Sequence, residues 1–146
     1  MAVKIKNNVS PEKIMNPFLE ALWKATLKLH ELVLADAPVG ATSEIKQKID
    51  FLPKIKGRTQ YFVRSMAGHS LFVEKGTRPH KVSPKHLFKW AQRVLGDKNA
   101  AYPIAKSIAK KGTKEHPFMF PNYVEVRDFW LPHFMEKELN KQSSLN

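Results

Sequence analysis

The sequence predicts an α+β domain in which an antiparallel sheet of three to four strands packs against a long N-terminal helix and C-terminal helices. Apolar residues recur at helical spacing between about residues 11 and 35. Alternating, β-branched and aromatic stretches then cluster between residues 44 and 74. Helical spacing returns from residue 83, punctuated by glycine and proline. Strands gathered in one block, with helices before and after it, distinguish α+β from the regular alternation of α/β folds.

The first helix is expected from Pro11, which suits the first helical position after a Ser10 cap, to about Ala35. Its stripe is Leu19, Leu22, Trp23, Thr26, Leu27, His30, Val33 and Leu34. Pro17 is the blemish, able to shift the start of the continuous helix to Asn16. Ala37-Pro38-Val39-Gly40 ends the element. Glu44–Phe51 alternates, with Ile45, Ile49 and Phe51 on one face and charges on the other, and predicts a half-buried strand. Pro53–Arg58 reads as a turn and Thr59–Met66 as a second strand. After a break at Ala67-Gly68-His69, Ser70–Glu74 reads as a third. Ser83-Pro84 opens a helix that Gly96 stops. Tyr102-Pro103 opens another, closed by Gly112, and a last helix is expected from Asn122 towards Asn140, kinked by Pro132. The division is a loose arm at residues 1–10, one domain at 11–141 and a frayed polar tail at 142–146.

Length and composition fit this picture: 146 residues hold one core, and 42% apolar residues are ordinary for a folded domain. There is no cysteine, which removes disulfides, thiolate metal sites and cysteine nucleophiles. No stretch suits a signal peptide or a bilayer span, so no membrane partner is expected. Charge is the outlier. Lys and Arg number 25 against 13 acids, for +12, and a field of that sign attracts polyanions and acidic surfaces. The lysines run along the whole chain. Arginine, the usual reader of guanine edges, is scarce. Sequence-specific DNA reading is therefore not expected, while non-specific attraction to nucleic acid stays open.

One short phrase occurs twice. Gly76-Thr77-Arg78-Pro79-His80 and Gly112-Thr113-Lys114-Glu115-His116-Pro117-Phe118 both follow a lysine and run Gly-Thr, basic, any residue, His. Glycine permits a sharp reversal there and proline fixes the exit. One copy is expected to end a strand and the other a helix, giving two differently built structural corners rather than a catalytic box. Glu74 abuts the first corner and is expected to anchor that corner's own backbone rather than act in catalysis.

No catalytic or cofactor pattern emerges. The six histidines, at positions 30, 69, 80, 86, 116 and 133, include no His-x-x-x-His pair. There is no Gly-x-Ser-x-Gly elbow and no phosphate loop. Most acids lie beside lysines, unlike a paired general acid and base. A hydrolase or nuclease is thus the weakest reading, and no enzyme activity, metal or cofactor is expected. The aromatic corner His116-Pro117-Phe118-Met119-Phe120-Pro121 has two readings: it folds back to seal the core, or it exposes Phe118 or Phe120 to a neighbouring subunit.

The order of these segments resembles the tail-completion (neck, or head–tail joining) proteins of long-tailed bacteriophages. Ala37-Pro38-Val39-Gly40 matches the start of that family's Ala-Pro-Val-Asp-Thr-Gly block. Phe72-Val73-Glu74-Lys75-Gly76-Thr77 matches its Val-Glu-x-Gly-Thr segment. His116–Pro121 matches its Pro-Phe-Leu-x-Pro-Ala close, with Met119 for leucine and Asn122 for alanine. The resemblance spans roughly residues 15–140. It implies a subunit of a ring, six-fold in expectation, in the virion neck, made in the host cytoplasm. Its implied partners are further copies of itself, a connector or stopper protein, a tail tube or tail terminator protein, and genomic DNA threading the channel. The candidate subunit interface is Leu71, Phe72, Val73, Phe118 and Phe120, with the expected strand edge at 70–74 and the arm at 1–10 as docking surfaces. The competing function is a basic, non-sequence-specific nucleic-acid-binding protein.

Overall fold

The computed structural model describes residues 11–40 and 43–144. The expected N-terminal arm and the Ser10 cap lie outside them. In chain order the elements are helix α1 (Pro11–Asp36), one-turn helix α2 (Glu44–Gln47), strands β1 (Ile49–Leu52) and β2 (Phe62–Ser65), and helix α3 (Ser70–Lys75). Helix α4 (Pro84–Leu95), a 3₁₀ turn at Lys98–Ala100, and helix α5 (Ala101–Lys111) follow. The C-terminal run is α6 (Phe120–Glu125), a π-helical turn (Val126–Trp130) and α7 (Leu131–Ser143).

The α+β class holds, but the sheet among the described residues has two strands, not three to four. Two expected strands differ. Ile45 and Ile49 are four apart, a spacing that suits a helix as well as alternation. Glu44–Gln47 coils accordingly, with the Lys48 amide donating to the Glu44 carbonyl at 3.0 Å and the Lys48 ammonium 2.6 Å from the Glu44 carboxylate. Ser70–Glu74 is also helical: the Phe72 and Val73 amides both donate to the His69 carbonyl. Pro17 does not delay α1, which is continuous from Pro11. At the far end α7 stays helical through Ser143, beyond the expected stop near Asn140.

Helix α1 is the spine. Its small buried residues Ala21 and Ala25 admit close neighbours, and Thr26 satisfies its buried hydroxyl on the Leu22 carbonyl at 2.9 Å. Helix α7 lies against α1. Buried Glu138 on α7 bonds Lys24 on α1 and also meets Lys141. The Lys24 ammonium holds the Glu138 carboxyl below the usual carboxylate range, and Lys24 is raised in turn. The inner face of the antiparallel hairpin packs on α1, where the Phe51 ring meets Trp23 at 5.7 Å and His30 at 5.2 Å. Its outer face leaves Phe62 and Met66 exposed. The main core joins Val33, Ala37, Ile45, Ile49, Ala67 and Phe118.

Pro132 does not interrupt the helical run; the helix instead widens to a π turn immediately before it, at Val126–Trp130. Proline has no N–H to donate and its ring crowds the carbonyl four residues back, so the α ladder widens there. The helix continues on the far side. Trp130 is held by Glu125, which accepts its indole N–H at 3.0 Å, and by the Lys28 ammonium 4.8 Å above its ring.

Candidate functional site

The two Gly-Thr corners face each other. Thr77 and Thr113 form an antiparallel bridge, isolated from the sheet. The Thr77 amide donates to the Thr113 carbonyl at 3.1 Å, and the Thr113 amide returns the bond at 3.2 Å. The hydroxyls meet at 3.0 Å, and the Thr77 hydroxyl also accepts the Thr113 N–H at 3.1 Å. The exchange extends one step outward. The His116 amide donates to the Val73 carbonyl in the last turn of α3, and the His80 amide to the Ile108 carbonyl in the last turn of α5. Each corner thus supplies an N–H to a carbonyl at the other helix end, and the Ile108 carbonyl also accepts the Gly112 amide at 2.8 Å.

Local backbone explains why the same phrase serves both places. Each copy terminates a helix, correcting the expectation that one would end a strand. Gly76 has φ 69° and ψ −177°, and Gly112 has φ 74° and ψ −161°. That region of backbone space is essentially reserved for glycine. Space imposes the same choice. A Cβ on Gly76 would lie 2.5 Å from the Thr113 carbonyl oxygen, and one on Gly112 would lie 1.9 Å from that of Thr77. A new helix begins eight residues after each glycine, at Pro84 and at Phe120. The fold therefore repeats helix, Gly-Thr corner, helix, and pairs the two corners antiparallel at Thr77 and Thr113.

Glu74 reinforces one side. Its carboxylate accepts the amides of Phe118 at 2.8 Å, Met119 at 3.0 Å and Phe120 at 2.9 Å. Burial pushes the Glu74 carboxyl up, but the three amides outweigh it and hold the group below its ordinary value. It anchors the exit of the second corner rather than its own. Buried Asn122 completes the joint, donating to Asp36 at 2.8 Å and to the Phe118 carbonyl at 2.9 Å.

The remaining predicted residues divide cleanly. Arg78, Pro79 and His80 are exposed, with His80 Nδ1 donating to the Arg78 carbonyl at 2.9 Å. Lys114, His116 and Pro117 are exposed too. The candidate interface needs correction: Phe118 is 1% accessible and belongs to the core, and Val73 is half-buried against it. Leu71, Phe72 and Phe120 remain exposed, at 58%, 57% and 66%. In the aromatic corner Phe118 turns inward to the core and Phe120 outward to the surface. The strand edge expected at 70–74 is absent because that segment is α3. The near-identity of the two phrases was legible in the sequence, but their pairing through Thr77 and Thr113 was not.

Among the described residues no group of three or more His, Cys, Asp or Glu converges as around a metal ion, and no helix is long and apolar enough to cross a membrane. Comparison with family models, curated proteins and solved structures finds no match.

Proposed function

We propose that this chain is a structural subunit of a ring in a phage neck, joining the tail to the capsid connector during assembly. The reading starts from the sequence resemblance, and the observation that carries it is the clasp. Thr77 and Thr113 lock two corners reciprocally, and Glu74 locks α3, which carries exposed Leu71 and Phe72, to the start of α6 at exposed Phe120. A cyclic ring is built from two unlike patches on each copy, and it closes only if the angle between them is fixed, because each error is repeated around the circle. A stiff joint beneath exposed aromatics answers that need. The two-stranded sheet adds open edges and the exposed Phe62 and Met66 as a second patch. In this reading the chain is not an enzyme and uses no cofactor. One face meets the connector or stopper, another the tail tube or tail terminator, and DNA passes through the ring in the mature virion.

Sedimentation and negative-stain imaging of the purified protein, alone and mixed with tails, test this. Closed rings, or added density at the tail end, are expected. Phe120→Asp should abolish assembly while leaving the melting temperature of the subunit unchanged, because Phe120 is exposed. A protein that stays dispersed with and without tails, or a Phe120→Asp variant that assembles normally, overturns the proposal.

A further inference from the structure

The lysines are spread along the chain, but the acids are not. Residues 78–114 hold ten Lys and Arg against the single acid Asp97, which places nine of the chain's twelve net positive charges in one quarter of its length. The structure gathers that segment into one lobe. Helices α4 and α5 pack as a hairpin, and the Thr77–Thr113 bridge closes it at the base. The hairpin's own seam is thin: its buried residues are Ala91, Ala101 and Ala105, with the Phe88 and Tyr102 rings 5.8 Å apart.

The outward positions are basic. Lys85 and Lys89 follow at a four-residue interval on α4, as do Lys106 and Lys110 on α5, and all four are exposed; Arg93, next along α4, reaches to the Ser43 hydroxyl at 3.3 Å. Four residues of helix advance about 6 Å, so each row presents evenly spaced cations along the lobe. Elsewhere lysines more often find carboxylates: Lys24, Lys28, Lys48, Lys54, Lys56 and Lys141 do, whereas Lys46, Lys75 and Lys137 are in no ion pair among the described residues. Among the described residues none of Lys85, Lys89, Lys106 or Lys110 is in an ion pair.

We propose that the clasped α4–α5 hairpin is a binding lobe for the phosphate backbone of duplex nucleic acid. The occupant follows from what the surface offers. The centres of protein–protein interfaces are depleted in lysine and enriched in aromatic and apolar anchors. Exposed lysines outside ion pairs, set in rows, are instead what a polyphosphate needs, since each lysine that meets a phosphate releases condensed counterions. Lysine carries most of the charge and point charges read no base edges, so binding is indifferent to sequence. This site stands whether or not the chain forms rings.

The test is fluorescence anisotropy of the full-length protein with a labelled mixed-sequence DNA duplex of about two helical turns, across a salt series, with sedimentation tracking the assembly state. Binding is expected to weaken linearly on a log–log salt plot and to be equal for duplexes of different sequence. Reversing Lys85, Lys89 and Lys110 to Glu should lower affinity about tenfold or more and flatten the slope by about one unit for each lysine that touches phosphate. Reversing Lys54, Lys56 and Lys137, three exposed lysines outside the lobe, changes net charge equally and should cost far less. Equal losses in the two triple variants, no binding at low salt, or salt-independent binding would overturn the proposal. So would polyglutamate competing as well as DNA at equal charge, which would reassign the lobe to an acidic protein partner. Because the readout needs only dispersed protein, a failure to form rings leaves this test intact.

Discussion

The first and second Gly-Thr corners share their lysine, glycine, threonine, basic residue and histidine, and each links a helix end to a new helix, yet they hold their exits differently. Two residues before the glycine the first copy has Glu74 and the second has Lys110. Glu74 crosses the clasp and gathers the three amides that lead into α6. The reciprocal exit leads into α4, where Pro84 has no N–H to offer and Ser83 makes no side-chain cap. Backbone symmetry therefore carries an asymmetric set of side chains. The α6 side is fixed electrostatically beneath exposed Phe120, while the α4–α5 lobe is tied mainly at its base. One repeated phrase can thus make a joint that is tight towards one surface and presents a charged arm towards another.

The comparison breaks most readily at the glycines. Gly112→Ala should cost about 3 kcal/mol or more, since it combines left-handed strain with overlap of a backbone oxygen. Gly76→Ala should cost somewhat less, because its new Cβ meets the opposing carbonyl at the longer distance. Urea unfolding of both variants checks this, and free tolerance of either alanine would refute the reciprocal clasp. A smaller effect, about 2 kcal/mol, is expected for Glu74→Gln, which discards the charge that strengthens the three amide bonds.

That loss carries a pH signature. Glu74 has a folded-state pKa below its ordinary value, so its contribution is fully present above the ordinary carboxylate pKa. It is lost as pH falls through the depressed folded value. Unfolding curves of wild type and Glu74→Gln should therefore separate at neutral pH and converge in acid. A gap that persists unchanged in acid would mean the carboxylate is not the anchor.

The threonines sharpen the comparison most finely. Thr77→Val removes a hydroxyl that both meets Thr113 and accepts its amide, and should cost about 1 kcal/mol. Thr113→Val removes one hydroxyl contact and should cost about half that. Equal effects in thermal melts would show that the hydroxyls play interchangeable parts.

Residue patterning alone determined the long helices. Pro11 starts α1, Pro84 and Gly96 bracket α4, and Gly112 closes α5, because caps and amphipathic stripes act within a few residues. It also marked the two glycines, Glu74 as an anchor, and the aromatic corner as either core or surface. Tertiary structure decided the rest. Ser70–Glu74 and Glu44–Lys48 are too short for their apolar spacing to separate two-residue from four-residue periodicity, so their surroundings chose helix. Which corner meets which depended on bringing together positions 36 residues apart, and no local preference encodes that distance. The charge asymmetry was written in the chain as an absence of acids, but it became a surface only when α4 folded back on α5 and the bridge closed beneath them.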